Sequence, residues 1–131
     1  MASAMGLPHF NIPLNLPHAA TVATRLLYHL NRLQPGAAKA AVELACELSD
    51  LLRPYKMLDD NPPQEEARAV AADAAVLARK LVDAIAAGGF GDDRLGQAIR
   101  NLFECLELGE EGARQSLRVG ENPDSALRAA Y

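Results

Sequence analysis

The chain has 131 residues, half of them apolar on a broad count, yet only 5% are aromatic and none is Trp. That length suits one domain with a real core and is too short for two. The net charge of −4 and thirteen basic residues scattered along the chain argue against a phosphate backbone as partner, so no nucleic acid is expected.

Alanine makes up about a fifth of the chain, and abundant Ala and Leu with few β-branched residues favour helix. No stretch is long and apolar enough for a membrane span, because the most alanine-rich one carries Asp73, Arg79, Lys80 and Asp83. The N-terminus lacks a basic region, and Pro8, Pro13 and Pro17 interrupt it, which does not fit a signal peptide. A soluble, cytoplasmic protein is the expectation. Cys46 and Cys105 lie in no metal-binding spacing. They read as two buried free thiols, with a single disulfide joining two helices as the alternative.

In Phe10-Asn11-Ile12-Pro13-Leu14-Asn15-Leu16-Pro17 apolar residues take every second position, the pattern of an extended segment with one buried face. Proline at 13 and 17 suits an edge or polyproline-like arm. Residues 1–17 are therefore expected to form an extended N-terminal arm. Phe10, Ile12, Leu14 and Leu16 would pack either on their own bundle or on a second subunit.

A first helix is expected over 18–33, with Ala19, Val22, Leu26, Leu30 and Leu33 as its apolar stripe, ended by Pro35-Gly36. A second is expected over 37–53, with Ala38, Ala41, Ala45, Leu48 and Leu52 inward and Pro54 breaking it. The longest stretch follows from Asn61 to Gly89. Asn61 reads as its N-cap, Glu65 and Glu66 face the positive end of its dipole, and Gly88-Gly89 can cap its end. Ala67, Val70, Ala74, Leu77, Leu81 and Ile85, with Ala71 and Ala78 between them, give it one apolar stripe over a rod of about 40 Å. Ala69, Ala72 and Val76 add a second strip of small residues, which marks a face where a second copy can approach.

Asp92 reads as the N-cap of a fourth helix carrying Leu95, Ile99, Leu102, Phe103 and Leu106 inward. Gly109 and Gly112 are expected to stop it near Leu108. Residues 109–131 would then be a polar extension, with a short helix after the cap signal Asn122-Pro123-Asp124-Ser125.

Catalytic and metal signatures are absent from this reading. No Glu-x-x-His occurs for a di-metal bundle, and Glu104, Glu107, Glu110 and Glu111 read as a solvated acidic face. The serines and cysteines lie in no nucleophile setting, and there is no phosphate-binding or dinucleotide loop. His29 with Arg32 three residues on resembles the histidine of phosphotransfer domains. The resemblance covers those two residues alone. Such domains continue the helix past the histidine and place a small residue where this chain has Leu33, so a satisfied or half-exposed helix histidine is the reading taken.

The expected fold is all-α: a four-helix up-down-up-down antiparallel bundle over residues 18–108 with the arm alongside. The expected function is a non-enzymatic interaction or regulatory module, a homodimer or the binder of a protein partner, with no cofactor and no metal. Phe10, Ile12, Leu14, Leu16 and Val76 are its candidate contact residues. The alternative is a small-molecule-binding bundle with its ligand between helices, lined by Ala, Leu, Tyr28 or Tyr55 and Phe103.

Overall fold

Asn15 starts the first helix. Its side chain accepts a hydrogen bond from the His18 N–H at 3.0 Å, and Pro17 follows inside the first turn, where the missing N–H costs nothing. The computed structural model describes residues 13–33 and 38–122, and in it α1 runs Leu16–Asn31. The arm expected over 1–17 is therefore corrected at its end. Leu16 is the first helical residue and fully buried, and Leu14 packs half-buried against the core. Phe10 and Ile12 lie outside the described residues.

Helix α2, Lys39–Leu52, stops where Pro54 removes a helical donor, and the chain continues through a 3-10 turn, Arg53–Tyr55. Helix α3, Gln64–Gly88, is the longest, about 37 Å at 1.5 Å per residue. Its cap is not Asn61. Pro63 holds that position without a side-chain bond, while Asn61 reaches back to α1. Its Oδ1 accepts from the Leu16 N–H and its Nδ2 donates to the Leu14 carbonyl, both at 2.8 Å. Asn61 thus satisfies a helix-terminal N–H of another helix, a role that local pattern does not reveal. At the other end Gly89 takes the left-handed conformation, φ +68°, and returns its N–H to Ile85, as two consecutive glycines predict.

Helix α4, Asp93–Cys105, begins at Asp92, whose Oδ1 accepts from the Leu95 N–H at 2.7 Å. All five of its expected inward residues are buried. The chain then turns through Glu107, in a left-handed conformation at φ 64°, into α5, Gly109–Arg118. The described chain thus has five α-helices where four were expected, and no strand.

The polar extension expected from residue 109 is corrected accordingly. Gly109 and Gly112 are buried inside α5. A Cβ on Gly112 would stand 2.7 Å from the Phe103 Cβ, so this glycine is a notch that brings α5 onto α4. The following residues bind as well: Val119 and Glu121 are buried, and a Cβ on Gly96 would meet the Glu121 backbone nitrogen at 2.5 Å. The short helix expected after Asn122 lies outside the described residues.

Helix α1 packs against α2 and α4, α2 against α3, and α5 lies along α4. One apolar core joins these elements. From α3 it takes Ala67, Ala74, Ala78, Leu81 and Ile85 of the predicted stripe, whose Val70, Ala71 and Leu77 are only half-buried, together with Ala75 and Val82 beside it. Burying each large aliphatic side chain is worth about 1.5–3 kcal/mol before ordering entropy is subtracted.

Candidate functional site

Two surface features stand apart from this core. The first is a groove of about 660 Å³ along the outer face of α3, where it passes the turn between α4 and α5. Ala71, Ala72 and Ala75 line it from α3, and Leu14, Leu106 and Leu108 from the facing segments. Val76 is 47% exposed there. Two of the predicted contact residues, Leu14 and Val76, therefore meet in one groove although 62 positions separate them. Leu16 does not join them, since it belongs to the core.

The groove carries both signs of charge. Arg68 stands 3.8 Å from Glu107. Arg79 donates through Nε and Nη2 to the two carboxylate oxygens of Glu111, each at 2.8 Å. The Arg79 hydrogen bond holds the Glu111 carboxyl below its ordinary value, against the opposing effect of burial. The solvated acidic face expected at 104–111 is thus half right. Glu107 and Glu110 are exposed, while Glu104 is buried, 3.7 Å from Arg100.

The second feature is a cleft of about 340 Å³ between α1 and α4. Arg25, Tyr28, His29 and Arg32 border it on one side, and Arg94, Leu95, Ala98 and Asn101 are among those opposite. His29 Nε2 lies 2.8 Å from Asp92 Oδ2. An ionised carboxylate only accepts, so Nε2 carries the proton and donates. His29 is a half-buried histidine held by a helix cap. Burial pushes the Asp92 carboxyl up, but the Leu95 N–H, the His29 imidazole and nearby charge overcome it and hold Asp92 below its ordinary value.

This cleft was not foreseen. Basic residues scattered along the sequence are not scattered in space. Arg25 and Arg32 are seven residues apart, Arg25 on α1 and Arg32 the residue that caps its end, about two turns further along the same side. That spacing was a legible signal, but the third partner, Arg94, comes from a helix that only the fold brings near.

The remaining candidates resolve plainly. Phe103 is fully buried in the core, and Tyr55 donates its hydroxyl to Glu66 at 2.8 Å. Both thiols are free, with Cys46 exposed and Cys105 buried, which corrects the expectation of two buried thiols. Among the described residues no group of three or more His, Cys, Asp or Glu side chains is placed to hold a metal ion. None of the described helices is long and apolar enough to cross a membrane. No protein-family model matches the chain, and neither the curated proteins nor the solved structures compared with it include a match.

Proposed function

We propose that this chain is a non-enzymatic helical interaction module that self-associates through the α3 groove. The observation that carries the reading is the meeting of Leu14 and Val76 over a floor of alanines. Small side chains let a second helix approach closely, and an exposed Val beside them gives it an apolar contact. The rim supports a second copy as the occupant. It holds Arg68 beside Glu107 and Arg79 paired with Glu111, so both signs lie along the rim and a two-fold-related copy is not repelled by like charge. In this reading the four longer helices form an antiparallel up-down-up-down bundle, and α5 braces the groove from the side. Free thiols on both cysteines suit a cytoplasmic setting.

Molar mass in solution across a concentration series tests the proposal. The 14.0 kDa chain is expected to approach twice that mass as concentration rises, and Val76→Arg to remain a monomer. A wild-type chain that stays monomeric throughout removes the reading.

A second reading, a ligand held between helices, is favoured by the α1–α4 cleft, which Tyr28, Leu95 and Ala98 line, although Phe103 belongs to the core and not to the cleft.

A further inference from the structure

The described arginines fall into two groups. Arg53, Arg68, Arg79, Arg100 and Arg118 each lie within 4 Å of a carboxylate. Arg25, Arg32, Arg94 and Arg114 have no such ion pair, and three of these four line the one cleft between α1 and α4. On a chain of net charge −4 this is a local reversal of sign, in a concave place.

The acids nearest the cleft offset it only in part, since Asp92 interacts with the charge of Arg94 but makes its hydrogen bonds elsewhere. Asp92 gives Oδ1 to the Leu95 N–H and Oδ2 to His29. Asp93 gives Oδ1 to the Asn122 N–H and Oδ2 to the Gln97 amide. Both are held by other donors, so the guanidinium groups retain hydrogen-bonding capacity for an outside acceptor. Between them lie the buried Leu95, the half-buried Ala98 and the Tyr28 ring, which is 67% exposed. An inorganic ion would leave these apolar surfaces unused.

We infer that this cleft binds a small organic anion, with two acidic groups on a flat apolar body. The inference rests on the second reading above, a ligand between helices, and adds its chemical class. Arg25 and Arg32 arise about 10 Å apart along α1, which suits two separated acidic groups better than one. Arg94 faces them from α4. A volume of about 340 Å³ admits a single-ring compound, near the lower end of ligand pockets.

The test is a titration with terephthalate at fixed ionic strength, read at the arginine Nε–Hε resonances by NMR. Terephthalamide, of the same shape without charge, is titrated alongside. The expected result is saturable movement at Arg25, Arg32 and Arg94, with Arg114 still, and no response to terephthalamide. Arg25→Gln, Arg32→Gln and Arg94→Gln should each weaken binding by about tenfold, the scale of one charge-assisted hydrogen bond, while Arg114→Gln leaves it unchanged. All four side chains are exposed, so these variants are expected to fold. Equal, non-saturating movement at all four arginines means general ionic attraction and overturns the inference. Binding of terephthalamide as tightly as terephthalate also overturns it, while keeping the ligand reading. Failure of both compounds to bind removes the two together.

Discussion

The contact between α4 and α5 and the outer face of α3 use small residues to opposite ends. In the first, Gly112 of α5 is filled by the Phe103 side chain and Gly96 of α4 by the segment at Glu121, so each missing side chain becomes a close contact. Along α3, Ala72 and Val76 stay exposed, and the groove beside them remains open. The first region also buries charge. Glu121, with no exposed side-chain surface, takes Arg100 in a forked pair at 2.8–3.1 Å. The second keeps its charges at the rim. A small residue in sequence therefore signals close approach without saying whether the approaching partner is the same chain.

The sharpest way to break this comparison is to remove Glu121. Glu121→Ala leaves the buried Arg100 with Glu104 alone, at 3.7 Å, and loss of one member of a buried pair costs up to about 3–5 kcal/mol. Denaturant melts should show that loss, and the double variant Arg100→Met, Glu121→Leu should recover only part of it, because the buried Glu104 then loses its contact with Arg100. A loss below about 1 kcal/mol, the scale of an exposed pair, would make the segment after α5 dispensable.

Filling a notch ranks next. Gly112→Ala places a Cβ against Phe103 and is expected to cost about 1–3 kcal/mol by overpacking. Its helix propensity works in the other direction, so a stabilised variant would mean that α5 is not held closely to α4. Ala72→Leu, on the open face, should leave the monomer's stability within about 0.5 kcal/mol.

The stripe was legible in the sequence because it needs only the helical period. Ala67, Ala74, Ala78, Leu81 and Ile85 are buried while Val70, Ala71 and Leu77 are half-buried, the buried face being turned toward Ala75 and Val82. Asp92 and Gly89 do cap their helices. What stayed hidden depends on partners distant in sequence. Asn61 looked like a local cap and instead binds residues 14 and 16. Gly109 and Gly112 looked like breakers, because propensity assigns them a cost and cannot show the neighbour that offsets it. The groove is half legible: alternation marks Leu14 and the strip of small residues marks Val76, while only the fold joins them. For Arg25, Arg32 and Arg94, charge counting averages away what three side chains do in one place.

A smaller effect concerns acid. The Asp92 carboxyl is held below its ordinary value, so its contribution is present above the unfolded carboxylate pKa and lost as pH falls through the folded one. Stability should therefore decline below about pH 4, the unperturbed range for Asp. Asp92→Asn keeps the cap to Leu95 and removes the charge, so it should flatten that decline. An unchanged acid profile would mean that the His29 contact carries no charge-dependent stability.

The smallest expected effect leaves the fold untouched. Cys46 is exposed, and burial pushes the Cys105 thiol up to about 12. At neutral pH alkylation should therefore modify Cys46 rapidly and Cys105 only on unfolding. Equal rates would contradict the packing of Cys105 under α1, where its carbonyl accepts the Asn15 N–H at 2.8 Å.

The proposed self-association is tested most directly by an NMR dilution series on the intact chain. With a second copy in the α3 groove, the resonances of Ala71, Ala72, Val76 and Leu108 move together with concentration. Those of the exposed Met57 and Leu58, on the turn after α2, stay still, and Val76→Arg abolishes the movement. Concentration-dependent shifts centred on Met57 and Leu58, or none at any residue, would contradict it.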